Sequence, residues 1–119
     1  MYVMTLKEKV FFYRNKYRKE KIFEINNSDL NKKYYGIFED NQEELHYDSS
    51  NSYDELIRLK NERKSSEISK KYKIFSADDF KKLWFDVEFW NYILLYAKNN
   101  LEIYHYKYKL KLLKEKIFF

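Results

Sequence analysis

His105, Lys107, Lys109 and Lys111 alternate with Tyr104, Tyr106, Tyr108, Leu110 and Leu112 late in this 119-residue chain. On a strand, that alternation puts every cation on one face, where ammonium groups can track the phosphates of a nucleic acid. A nearby ring such as Tyr72 would then be placed to stack on a base. Arg14 and Arg18 extend the basic set into the N-terminal segment. The plainer reading is the solvated outer face of a one-sided antiparallel sheet, and lysines on an edge strand also guard against aggregation. No glycine-bearing RNA-recognition pattern accompanies the strip.

Charge of the other sign is concentrated between residues 39 and 55, which hold seven acids and no Lys or Arg. Glu39, Asp40, Glu43, Glu44 and Asp48 form a candidate partner-binding surface, able to meet a basic groove or imitate phosphate charge. The plainer reading is a solvated loop that offsets neighbouring bases. With His46 the same residues could offer ligands to a hard cation, but calcium-loop spacing and its glycine turn are missing, so no metal is assigned. Catalytic chemistry has little to stand on. The only histidines are His46 and His105, neither in a triad or zinc pattern, and there is no cysteine. One glycine, Gly36, cannot build a glycine-rich phosphate loop. No catalytic residue and no cofactor is assigned, and the chain is expected not to be an enzyme.

The elements that must position these groups are read from periodicity and caps. Thr5-Leu6-Lys7-Glu8 has capping-box form, and Leu6, Val10, Tyr13 and Tyr17 make one helical stripe, so a helix is expected over residues 6–19. Its rival is a hairpin of residues 10–14 and 21–25. Residues 22–25 are short and β-rich, stopped by Asn26-Asn27-Ser28-Asp29. Residues 34–39 and 44–48 read as a hairpin around Asp40-Asn41-Gln42-Glu43, with Gly36 weakening the first arm or marking a bulge. Residues 48–52 read as a loop. Ser52-Tyr53-Asp54-Glu55 is a second capping box, opening a helix to about Lys64, and residues 65–71 are a connector. Residues 72–75 read as a strand. Ser76 caps a long amphipathic helix to Lys98, with Asp78 and Asp79 in its first turn and Trp84 and Trp90 on diverging faces.

Residues 101–113 fit two periods. Ile103, Tyr106, Leu110, Leu113 and Ile117 have helical spacing, but a helix would send Tyr104, Tyr108 and Leu112 the other way and leave no clean polar face. The strand wastes less apolar surface and is the reading adopted. Residues 114–119 end on Ile117, Phe118 and Phe119, which should dock.

Composition bounds the rest. Hydrophobic content of 45% with 21% aromatic residues excludes a disordered chain despite 36% charge, and the length suits a single compact domain over residues 1–119. The expected fold is α+β, about three helices packed on a small, mostly antiparallel sheet, with an all-α bundle as the alternative. No apolar run approaches the roughly 20 residues of a membrane helix, and Lys7, Glu8 and Lys9 interrupt any leader, so a cytoplasmic protein that avoids membranes is expected. Abundant Lys, Asn, Ile, Tyr and Phe without Pro or Cys indicate an AT-rich genome. Small size, charge segregation and surplus rings point to a protein-interaction module. One specific form is a stoichiometric inhibitor from a phage or mobile element, acting on a nucleic-acid-handling host protein as an anti-defence factor. Direct RNA or DNA binding through the basic strand face and N-terminal helix is the alternative.

Overall fold

The computed structural model describes residues 3–26, 31–66 and 71–119. The fold is α+β: helices α1 (Leu6–Asn26), α2 (Tyr53–Ser65), α3 (Ala77–Leu94) and α4 (Asn100–Phe118), with strands β1 (Tyr34–Glu39), β2 (Leu45–Ser50) and β3 (Lys71–Ser76). The stop at Asn27-Ser28-Asp29 and residues 67–70 of the expected connector lie outside the described residues. None of the described helices is long and apolar enough to cross a membrane.

A single domain was expected from length, and the chain divides into two compact units. The first comprises Met1–Leu30 and Phe85–Lys114, the second Asn31–Trp84 and Glu115–Phe119.

In the first unit, α1 starts where the capping box places it: the Glu8 amide donates to Thr5 Oγ1 at 3.2 Å, and the Thr5 hydroxyl donates to the Glu8 carboxylate at 3.0 Å. The stripe Leu6, Val10, Tyr13 and Tyr17 packs into a cluster built on Tyr17, Phe89, Ile93 and Tyr106. The helix then continues through residues 22–25, where a strand was expected, and the rival hairpin does not form. Charged groups fasten α1 to α3. Arg14 bonds Asp86 at 2.6 Å, the Tyr17 hydroxyl donates to Glu88 at 2.6 Å, and Lys21 pairs with the same Glu88.

The long helix ends at Leu94, four residues before the expected Lys98, in short-range turns such as Tyr96 N–H to Ile93 C=O at 2.9 Å. Asn99 does not merely end it; its Oδ1 accepts from the Glu102 amide at 2.9 Å and so opens α4, while Glu102 reaches back to the Lys98 amide at 2.9 Å. Lys9, almost wholly buried, ties this junction to α1 through Glu102 at 2.6 Å and the Tyr96 carbonyl at 2.8 Å. Residues 101–113 are therefore helix, not the longest strand of the sheet, and the described residues form four helices rather than three.

The second unit holds a three-stranded antiparallel sheet in the order β2-β1-β3, with β1 central. The hairpin is the expected one. Asp40 Oδ1 accepts the amides of Gln42 and Glu44 at 2.8 and 2.9 Å, and Glu43 takes a positive φ of 64° to close it. β2 runs on to Ser50, into residues expected as loop. One face of β1 and β2 carries Tyr35 and Tyr47, which pack on Phe80 and Trp84 of α3; Tyr35 and Phe80 stack at 4.0 Å. The opposite face, with Phe38 and Asp48, meets α2 through Arg63. Ser52 caps α2, accepting from the Glu55 amide at 3.4 Å, while the Glu55 carboxylate turns to the Ser50 hydroxyl at 2.6 Å.

Gly36 makes no bulge, since both registers run unbroken past it. The phenol ring of Tyr72 lies where a Gly36 Cβ would stand. That ring stacks on Phe38 at 5.7 Å, and its hydroxyl donates to Asp48 at 2.9 Å.

Candidate functional site

The acidic surface expected from residues 39–48 is largely spent inside its own unit. Asp48 accepts two bonds from Arg63, at 2.5 and 2.7 Å, a bidentate pair further tied by Tyr72, and the Arg63 guanidinium lies 4.2 Å from the Phe38 ring. Burial and the Asp48 bond push the Tyr72 phenol well above its ordinary pKa. Asp40 builds the turn and meets His46 at 2.7 Å; that hydrogen bond, with the two amides, holds its carboxyl below the usual range. Glu44 is exposed, Glu43 closes the turn, and Glu39 stands in register with Lys71 and Leu45. Asp40, Glu44 and His46 bring three potential ligand atoms within 4.8 Å of one another. A cation there would have to displace the Asp40–His46 contact, and no metal is assigned.

The basic strip is dispersed by the helix that carries it. At 100° per residue, neighbours two apart point to nearly opposite sides. His105 and Lys109 fall on one flank of α4, half-buried, and Lys107 and Lys111 on the other, exposed. Arg14 is engaged by Asp86 and sits 5.2 Å from the Phe89 ring, and Arg18 lies 5.8 Å from Phe85. A plate of cations tracking one phosphate backbone does not form from these residues.

Between the two flanks, α4 exposes the apolar residues that strand pairing was expected to bury. Leu101, Tyr104, Tyr108 and Leu112 are 72%, 71%, 47% and 40% exposed. Their spacings of 3, 4 and 4 place them within about 80° of the helix circumference over roughly 17 Å. Tyr104 and Tyr108 stack with their rings 9° from parallel and centroids 6.4 Å apart. The opposite side of the helix carries Tyr106, fully buried against Trp90. The signal for this face was present in the spacing of 104, 108 and 112 itself. Trp84 and Trp90 do diverge as expected, one toward Tyr47 of the sheet and the other toward Phe89 and Tyr106.

No protein-family model, no curated protein and no solved structure matches this chain.

Proposed function

We propose that the protein is a non-enzymatic interaction module that lays the outward face of α4 into an apolar groove with an acidic rim on a partner protein. The supporting observation is the exposed stripe Leu101, Tyr104, Tyr108 and Leu112. Amphipathic helices dock this way through anchors three and four residues apart, and tyrosine is favoured at the energetic centre of such contacts. Lys107 and Lys111 border the stripe on one side, which favours a carboxylate-bearing rim. This reading moves the docking surface from the acidic hairpin to α4, because Asp40 and Asp48 are already engaged. A stoichiometric inhibitor from a phage or mobile element would work in this manner, occupying a host protein without turnover.

A photo-crosslinking residue at position 104 tests the reading, with position 54 on α2 as control. The expected result is one discrete crosslinked protein from position 104, reduced by Tyr108→Ser and by Lys107→Glu with Lys111→Glu. Retention of the same crosslink from position 104 after Tyr108→Ser with Leu112→Ser would refute it. So would a crosslink to a second copy of the chain, which would assign the face to self-association.

A further inference from the structure

A second site lies within the other unit, at the open edge of the sheet, and does not depend on the α4 face. Lys60 and Lys64, one helical turn apart on α2, and Lys71 and Lys73, two apart on β3, line a cleft of about 410 Å³ with Tyr72, Phe118, Phe119 and, among the described residues, a single acid, Glu115. The volume falls within the range of small-molecule sites.

Two features set this cleft apart from ordinary surface lysines. First, the cleft gathers several lysines in one place without ion-pair partners among the described residues, whereas Lys9 is paired with Glu102, Arg14 with Asp86, Lys21 with Glu88, Arg58 with Glu62 and Arg63 with Asp48. Among the described residues, Lys60, Lys64 and Lys73 join no ion pair, so the cleft concentrates positive charge that the fold leaves uncompensated. Second, the cations are interleaved with rings. Tyr72 is held rigidly by Phe38 and Asp48, Phe118 lies 5.9 Å from the Lys71 ammonium, and Phe119 is fully exposed. Ammonium groups meet phosphate, and an exposed ring meets the face of a base.

We infer that the cleft between α2, β3 and Phe118–Phe119 binds a nucleotide unit, its phosphate among Lys60, Lys64 and Lys73 and its base against an aromatic ring. The unit is either free or part of a single strand; a duplex hides its base faces and is a poor ligand. An acidic peptide added along β3 would satisfy the lysines and leave the rings unused.

Fluorescence anisotropy of labelled ten-residue oligo(dT) and oligo(U) at about 50 mM salt tests this, with AMP and UMP as competitors. Binding is expected to weaken at least tenfold in Lys60→Gln/Lys64→Gln/Lys73→Gln, with a shallower salt dependence, by about 0.7 per lost phosphate contact. Phe119→Ser should weaken it about fivefold or more while leaving the salt slope unchanged. All four positions are exposed, so the variants keep the fold, which circular dichroism verifies. Competition by micromolar AMP or UMP assigns the site to free nucleotides; competition only by oligomers assigns it to single strands. The inference is overturned if neither oligomer nor mononucleotide binds, if polyglutamate or duplex DNA binds as tightly, or if the triple variant binds as wild type does. Tyr104→Ser should leave the binding unchanged, which separates this site from the α4 face.

Discussion

Placing a methyl group on Gly36 should unseat Tyr72. The added Cβ would stand well inside van der Waals contact with the Tyr72 ring, which is not the free end of a flexible chain but is pinned by Phe38 and by Asp48. If the ring leaves, it gives up a stacked contact, about 0.5–1.5 kcal/mol, and a hydrogen bond to an ionised carboxylate, about 1.5–3 kcal/mol. If the strands shift to keep those contacts, overpacking costs about 1–3 kcal/mol. Alanine recovers about 0.4–1 kcal/mol by restricting the unfolded chain. Gly36→Ala should therefore destabilise the sheet-bearing unit by about 2 kcal/mol. Tyr72→Ala alone should cost about 3 kcal/mol, through the same lost contacts. In the double variant the methyl group has no ring to meet, so the two losses should not add, and a coupling of about 2 kcal/mol in the stabilising direction is expected. Urea titration followed by Trp84 fluorescence, in a Trp90→Phe background, reports on this unit because Trp84 packs on Tyr47 and Phe80. Additivity within about 0.5 kcal/mol would show that the glycine is not there to seat the ring.

Two further outcomes concern the helical unit. The Tyr106 hydroxyl is buried without a hydrogen-bond partner among the described residues, and burial pushes its pKa up to about 12. The neutral phenol therefore supports folding fully below the ordinary pKa near 10, and that support is lost as pH rises toward 12. Tyr106→Phe should be about 1 kcal/mol more stable at neutral pH and should lose less stability across that alkaline window, Tyr92 accounting for the remainder. A variant less stable than wild type in thermal denaturation would contradict the assignment. Glu102 behaves oppositely: its bond to Lys9 holds its carboxyl below the ordinary value of 4.5, so its contribution is present above that value and disappears as pH falls through the folded pKa. Glu102→Gln leaves the buried Lys9 ammonium without its charge partner and should cost about 3 kcal/mol at pH 7. That gap should narrow below pH 4.5, and a gap constant from pH 7 to pH 3 would show that the pair does not titrate as described.

Much of the fold could be read locally. Thr5, Ser52 and Ser76 each precede a helix, and the stripe Leu6, Val10, Tyr13 and Tyr17 faces the core as its spacing requires. The hairpin followed from alternation around an Asp-Asn turn. Asp48 was legible as an acid but not as a half-buried one already held by an arginine. Tyr47 and Asp48 necessarily face opposite sides of β2, and only the placement of α2 on one of them decides that Asp48 meets Arg63. The cleft was unreadable for a related reason. A run rich in bases between residues 56 and 75 was evident, but its lysines divide between a helix and a strand, and only tertiary structure brings them together with Phe118 and Phe119.

The strand expected at residues 101–113 failed on an assumption rather than on a pattern. Both periods fitted, and the helix was set aside because it would leave Tyr104, Tyr108 and Leu112 exposed. They are exposed. Economy of apolar surface was the wrong criterion because it treated the chain as one core. The chain divides into two compact units, and a small folded unit leaves much of its apolar surface outside, so an exposed ring on a helix is no argument against that helix. The local signal at Asn99 and Glu102, an N-cap followed three residues later by a carboxylate, was the better guide because capping depends on the backbone and not on how much core is available. On α4 the exposed apolar residues share one face: its buried side takes Tyr106 and Leu113 at helical spacing, and Tyr104, Tyr108 and Leu112 fall together on the outward side. A partner's groove can cover such a stripe, whereas scattered exposed residues would offer it nothing to grip.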